Sequence, residues 1–253
     1  MSEQQISSEE NQSKLGFIGH FDLLGYRSIN PTSEIISVVK IIQKIIESEY
    51  ARVITTQNLV GMKFCECVVY ADSILIYNTF PENKSEQHHQ VAIFQEFCSA
   101  VVSELFWAGL PVRGAWAFGQ YYVEKTENGI YIAGSPIVEA FEFSNCVDMA
   151  GCVIAPSAEK KLAEMLILKG PPSEFLGYIQ YFVPCKGNRN QKMILLNHYC
   201  MDLHYHPDRI ISRQVVMEKF AEHNKRIGIE VLPKVNNTLD FFETCKPDVC
   251  QAT

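Results

Sequence analysis

The chain is short of positive charge, of regularly spaced cysteines and of long apolar runs, and each shortage excludes a class of function. Its 22 Lys and Arg are outnumbered by 29 Asp and Glu, giving a formal net charge of -7. A protein that wraps nucleic acid needs a basic face to displace phosphate counterions, so DNA and RNA binding are not expected. The same acidity still admits a nucleotide, because divalent cations can bring a triphosphate to an acidic site. No apolar run reaches the roughly 18 residues that cross a bilayer, so no membrane span is expected. Nine cysteines, an odd number without framework spacing, suit reduced thiols. The opening "MSEQQISSEENQSK" lacks the basic and apolar regions of a signal peptide and reads as a disordered polar tail over residues 1–14. Together these features predict a cytoplasmic protein.

Apolar residues, by contrast, are plentiful: 47% of 253. That is ample for one large core. "FIGHFDLLGY" is a strand whose apolar run ends at Asp22. In "TSEIISVVKIIQKIIESEY" the apolar positions Ile35, Val38, Val39, Ile42, Ile45 and Ile46 fall on one helical face. "GMKFCECVVY" and "SILIYNTF" are β-rich and flank Asp72, which predicts a hairpin with the aspartate at its tight turn. A second amphipathic helix, "VAIFQEFCSAVVSELFWAG", stops at Gly109 and Pro111. "PVRGAWAFGQYYVE", "KTENG" and "IYIAGSP" make a strand, a turn and a return strand. A helix over 135–150, the strand "GCVIAP" and a helix over 157–170 follow. The order β-α-β-β-α-β predicts an α+β fold with a mainly antiparallel, split β-α-β (ferredoxin-like) core over residues 15–170. Residues 171–253, with two strands and helices near 213–228 and 233–244, read as an appendage packed on that core.

Asp22 and Asp72 raise the functional question. An unpartnered buried carboxylate costs several kcal/mol or becomes protonated, so each needs an arginine, a backbone cap or a metal ion. The split topology places the Asp72 turn beside the first strand, where two converging carboxylates repel unless cations lie between them. Two-metal sites hold ions roughly 3.5–4 Å apart for in-line phosphoryl displacement. Oxygen-only ligands favour Mg²⁺ or Mn²⁺ over zinc. The amides of Leu23, Leu24, Gly25 and Tyr26, with Gly25 permitting close approach, are expected to form an anion-binding nest beside Asp22.

These motifs resemble the class III nucleotidyl cyclases. The family's F-x-D-I-x-G-F is matched by "FDLLGY", which implies Asp22 and the Leu23 carbonyl as metal ligands. Its K-x-x-G-D is matched by "VVYAD", which implies Asp72 as the second carboxylate. Its R-V-G-I-H-x-G strand is matched by "RGAWAFG" through Arg113 and Gly119. "GSPIVEA" matches G-x-x-V-N-x-A through Gly134, the Val or Ile positions and Ala140. The positions of the family's purine-reading lysine and aspartate carry Val68 and Tyr131. Those of its ribose-orienting asparagine and transition-state arginine carry Val138 and Glu142.

With both metal aspartates kept, the combination resembles the pyrimidine cyclases of bacterial antiphage defence (Pycsar). The resemblance implies conversion of UTP or CTP to the 3′,5′-cyclic nucleotide with two Mn²⁺ or Mg²⁺ ions per site. It also implies a homodimer with shared active sites and a separate cyclic-nucleotide-responsive effector downstream. Arg113 becomes a phosphate contact and Tyr70 a wall of the base pocket. A purine cyclase with an unusual base pocket and a silent nucleotide sensor stay open as alternatives.

Other reactive residues read blandly. His198, Cys200, His204 and His206 in "HYCMDLHYHPD" match no zinc spacing and read as a solvated β-hairpin. Cys65 and Cys67 read as buried thiols on one strand face.

Overall fold

The computed structural model describes residues 13–29, 32–59, 63–168, 177–187 and 189–245. The polar tail expected over 1–14 lies outside them up to residue 12, and the first strand already begins at Lys14. The strands are β1 (Lys14–Leu23), β2 (Glu66–Tyr70), β3 (Ser73–Tyr77), β4 (Val112–Thr126), β5 (Gly129–Gly134), β6 (Gly151–Ile154), β7 (Tyr178–Cys185) and β8 (Arg189–Leu196). The helices are α1 (Thr32–Thr56), α2 (Lys84–Trp107), α3 (Ser135–Cys146), α4 (Pro156–Glu164), α5 (His198–Tyr205), α6 (Arg213–Ala221) and α7 (Leu232–Thr244).

The described strands form one sheet in the order β2-β3-β1-β4-β6-β8-β7, with β5 paired to β4. Only the β4–β6 pairing is parallel; β1–β3, β1–β4, β2–β3, β4–β5, β6–β8 and β7–β8 are antiparallel. The α+β, mainly antiparallel split core is therefore as expected. The alternation of side chains along β1 explains the layers. Phe17 and Phe21 share a cluster with Val38 and Ile42 of α1, Phe94 and Phe97 of α2, and Trp116 of β4. Ile18 faces the other way, into a smaller cluster with Leu75, Tyr77, Ala117, Tyr121 and Ala140 of α3. Both faces of β1 are covered, which is why it reads as an unbroken apolar run instead of an alternating one.

The β4–β5 hairpin runs on past the other strands and curls over β2. Val123 and Ile132 pack with Val68, and Lys125 is paired to Glu66. Strands β7 and β8 extend the same sheet beyond β6, while α6 and α7 contribute Val216, Phe220, Val235, Phe241 and Phe242 to a third cluster.

Several element ends differ from expectation, for local reasons. α3 stops at Cys146, not 150, because Val147 turns extended and bridges Cys185. α4 stops at Glu164, with Leu166 in the left-handed region soon after. α6 stops at Ala221, because His223 and Asn224 both take positive φ, which helices cannot continue through. Cys65, buried, lies just ahead of β2, and its thiol hydrogen-bonds to that of the half-buried Cys67.

The largest change is in "HYCMDLHYHPD". It is the helix α5, not a solvated hairpin, and His198 is 2% exposed against the rings of Phe241 and Phe242. Burial is the main reason its pKa falls to about 4. The side chains of Cys200 and His204 lie outside the described residues.

Candidate active site

Sheet register assembles the site. Residues directly opposite one another on paired strands share a face. Tyr70 is opposite Ser73, Ser73 opposite Asp22, and Asp22 opposite Arg113. Four strands thus present Tyr70, Ser73, Asp22 and Arg113 as one row on the α3 side of the sheet. The next row on that face is Val68, Leu75, His20 and Ala115.

Asp72 lies just beyond the row, in the two-residue turn between β2 and β3, after Ala71 at φ 50°. Its carbonyl accepts the Leu23 N–H at 2.8 Å, which ties the turn to the residue following Asp22. The two aspartates that the sequence placed at strand edges therefore occupy one corner.

Of the partners open to a part-buried carboxylate, Asp22 has an arginine. Arg113 donates from Nε (2.8 Å) and Nη2 (2.6 Å), both to Asp22 Oδ2. Nη2 also donates to Asn145 Oδ1 at 3.0 Å. The pair is well shielded, with side chains 11% and 17% exposed. Among the described residues the Asp72 carboxylate has no ion pair or hydrogen-bond donor. Arg113 and Lys186, whose pKa is lowered by burial and then by Arg113 and raised by Asp22, set two positive charges beside the charge of the two carboxylates.

Neighbouring groups respond to that charge. His20 is 1% exposed and shares a 2.8 Å hydrogen bond between Nδ1 and Ser144 Oγ. Burial pulls its pKa below 6.5, and Arg113 adds to the fall, while Asp22 and Asp72 oppose it. The ring is neutral at pH 7, and Nε2 is buried without a partner. The Tyr70 hydroxyl is pushed up by burial and by Asp22 and Asp72, against a hydrogen bond to Ser73.

The expected anion nest is not built from four amides. Leu23 N–H is held by Asp72, and Leu24 N–H donates to Pro111 O at 2.8 Å. Gly25 sits at φ 79°, a left-handed turn that favours glycine. A Cβ on Gly25 would lie 3.2 Å from Lys225 Cδ, so the loop's open side packs against that lysine stem. Tyr26 then opens a short 3-10 turn, Tyr26–Ser28.

The pocket residues are dispersed. Tyr70 is half-exposed at one end of the row, and Val68 is tucked under the β4–β5 hairpin. Tyr131, 54% exposed, neighbours Ile132 on β5 and faces away from it. A single chain therefore does not gather the three residues. Val138 and Glu142 lie on the exposed side of α3, with Phe141 between them.

Three residues here were missed in the sequence. Asn145 has no motif around it, and His20 passes for a strand residue. Lys225 is 6% exposed, with Nζ donating to Gly109 O at 2.6 Å, and burial lowers its pKa to about 8. Only the rarity of a buried lysine marks it.

The donor set fits hard divalent cations. Asp22 Oδ1, which is outside the arginine fork, the Asp72 carboxylate and the Leu23 carbonyl are all oxygens, as Mg²⁺ and Mn²⁺ prefer. Arg113 competes for Asp22 Oδ2.

Another acidic cluster lies between α2 and α5. Ligand-type atoms of Glu104, Asp202 and His206 all fall within 4.8 Å of one another. Arg209 Nη1 already sits there, 2.5 Å from Glu104 Oε1 and 2.7 Å from Asp202 Oδ1. Trp107 Nε1 donates to the other Asp202 oxygen at 2.8 Å.

No family model matches the chain, and no curated protein matches it. Solved structures do. The catalytic core of a rhodopsin-guanylyl cyclase with converted specificity, in complex with ATPαS, superposes with a TM-score of 0.51 at 12% identity, covering 74% of this chain and 97% of that one. A monomeric guanylyl cyclase domain of the RhoGC fusion protein from the aquatic fungus Blastocladiella emersonii gives 0.49 at 10% identity, covering 74% and 97%. A class III adenylyl cyclase-like ATP-binding protein from Pseudomonas aeruginosa gives 0.43 at 13%, covering 63% and 37%. Among the described residues, no helix is long and apolar enough to cross a membrane. At these identities the likeness is one of architecture: the chain has the fold of the class III nucleotidyl cyclase core.

Proposed function

We propose that the protein is a nucleotide cyclase that converts UTP, or CTP, to its 3′,5′-cyclic nucleotide and pyrophosphate. The observation that carries this is the convergence of Asp22, Asp72 and Arg113 at one end of the β1–β3–β4 sheet. Asp22, the Leu23 carbonyl and Asp72 would hold two Mn²⁺ or Mg²⁺ ions. When bound, such ions supply charge neutralisation and a more acidic ribose hydroxyl. The chain does the rest. Asp22 and Asp72 fix the corner at which the triphosphate docks. Arg113, once released from Asp22 Oδ2, offers a fork of N–H donors to phosphate oxygens, held on its far side by Asn145.

Pyrimidine preference rests on the resemblance and on what the base would meet. Val68 and Tyr131 leave no buried amine or carboxylate to be unpaired by a pyrimidine, so neither rejects it. Tyr70, Val138 and Phe141 are exposed apolar groups on the face that carries the site. A second copy covering them would complete each base pocket, giving a homodimer with shared active sites. A separate effector reading the cyclic product, in antiphage defence, follows from the resemblance alone.

A silent nucleotide sensor is the alternative reading. It is favoured by Arg113, which clasps one of the two proposed carboxylate ligands, and by Val138 and Glu142 where the family carries asparagine and arginine. Purified protein incubated with each of four labelled nucleoside triphosphates and Mn²⁺, then treated with phosphatase, separates the readings. A phosphatase-resistant UTP or CTP product is expected. A resistant product from ATP or GTP alone would make it a purine cyclase, and binding without any product would make it a sensor.

A further inference from the structure

Two sulfur atoms meet where α3 ends. Cys146 Sγ lies 2.7 Å from Cys185 Sγ, the last residue of β7. Backbone bonds close on both sides of the contact. Lys186 N–H donates to Cys146 O at 2.9 Å, and Val147 bridges Cys185 in antiparallel fashion. The chain segments are thus fixed against each other, and the sulfurs need to approach by only about 0.7 Å to reach disulfide length.

The two thiols are unequal. Cys146 is partly exposed, whereas Cys185 is 5% exposed. Burial first, and then the hydrogen bond and charge of Cys146, push the Cys185 thiol up to about 12. An oxidant therefore meets Cys146 first, with Cys185 waiting behind it.

We propose that Cys146 and Cys185 form a redox-active dithiol that closes reversibly to a disulfide under peroxide. Cys146 sulfur attacks one peroxide oxygen, breaking the O–O bond and giving a sulfenic acid and hydroxide. Cys185 sulfur then attacks Cys146 sulfur, forming S–S and expelling the other hydroxide. The two thiol protons convert the hydroxides to water, so two thiols lose two electrons and one peroxide becomes two waters. Nearness offsets the raised pKa of the buried partner, because the closing step is intramolecular.

Position gives the site its consequence. Asn145, which holds Arg113, directly precedes Cys146. Closing the disulfide pins the last turn of α3 to β7 and fixes that anchor. Neither the chemistry nor its test depends on the nucleotide reading.

The test treats the native 253-residue chain with hydrogen peroxide, blocks free thiols with N-ethylmaleimide and maps cysteines by mass spectrometry. The expected result is a Cys146–Cys185 linked peptide as the main oxidation product, lost on adding dithiothreitol. Cys65 and Cys67, whose thiols also hydrogen-bond, serve as an internal reference and should stay alkylatable after later unfolding. Cys185→Ser, or Cys185→Ala if the serine variant folds poorly, should leave Cys146 as a sulfenic acid that dimedone captures. The proposal is overturned if both cysteines alkylate freely after peroxide while the circular dichroism spectrum is unchanged. It is equally overturned if the link forms only in urea, or if Cys65–Cys67 links as readily.

Discussion

Two corners of the molecule gather carboxylates around an arginine, and they differ in what is left over. Between α2 and α5, Glu104 and Asp202 share Arg209, and Trp107 takes the second Asp202 oxygen. At the end of β1, Arg113 engages a single oxygen of Asp22, and the Asp72 carboxylate has no partner among the described residues. The α2–α5 corner is the denser cluster of metal-capable atoms, yet a guanidinium already fills it. The β1 corner is sparser and has the unclaimed oxygens. The capacity to take a cation follows from unpaired acceptors, not from the number of acids.

Removing the free carboxylate puts this contrast under the most severe strain. Asp72→Ala should abolish Mn²⁺-dependent turnover, a loss of at least about a thousandfold, since the ion and its charge stabilisation go together. Stability without metal should be unchanged or slightly higher, because a carboxylate near Asp22 is gone. The matching change at the other corner, Asp202→Asn, should leave the Mn²⁺ dependence as it was. Turnover that survives Asp72→Ala in a folded protein would dismiss the two-metal assignment. Loss of Mn²⁺ dependence with Asp202→Asn would move the metal to the α2–α5 corner.

Arg209→Met probes the same contrast from the structural side. It strands Asp202, whose side chain is 2% exposed, and Glu104, which is 24% exposed. Removing one partner of a buried ion pair costs about 3–5 kcal/mol, and the exposure of Glu104 and Arg209 reduces this to roughly 2–3 kcal/mol. Urea unfolding checks it. A midpoint within error of wild type would show that solvent, not Arg209, balances those acids.

Much of this contrast was visible in the sequence, but only where the pattern was local. The Asp72 turn was legible because β-rich runs flank it, and strand pairing then brings it to Asp22. Asp22–Arg113 was not legible as a pair, because cross-strand register depends on the β1–β4 pairing over the whole strand. The nest failed because strand neighbours claim the Leu23 and Leu24 amides. The α5 region misled because its local pattern, which matches no zinc spacing, does not reveal what packs on it. Tertiary burial of His198 between Phe241 and Phe242 favours the helix instead.

That burial makes α5, and so the saturated corner, sensitive to acid. His198 has a folded pKa of about 4 against 6.5 unfolded. Between those values the unfolded chain binds more protons, so stability rises with pH and is lost as pH falls below 6.5. Going from pH 7.5 to pH 5 should cost about 2 kcal/mol from this group. His20, also lowered, acts in the same direction. Comparing wild type with His198→Gln isolates the effect: the variant, though less stable throughout, should show a shallower slope over this range. Parallel curves would mean that His198 gains a proton in the folded state.

A milder change tests what the open corner recognises. Tyr70 ends the row that contains Asp22, on the edge strand β2, and is 48% exposed. A half-exposed ring on an edge strand contributes little to folding, so Tyr70→Ala should shift the unfolding midpoint only slightly. Its effect on a bound base should be larger, because ring contacts add about 0.5–1.5 kcal/mol beyond area burial. Losing the ring removes stacking and widens the space beside Asp22, which a pyrimidine does not need and a purine does. UTP turnover should fall, and the ratio of UTP to ATP kcat/KM should drop about fivefold, on the order of 1 kcal/mol. Equal losses for both substrates would make Tyr70 a general stacking platform. In that case base choice would have to come from Val68 and from the partner chain of the dimer.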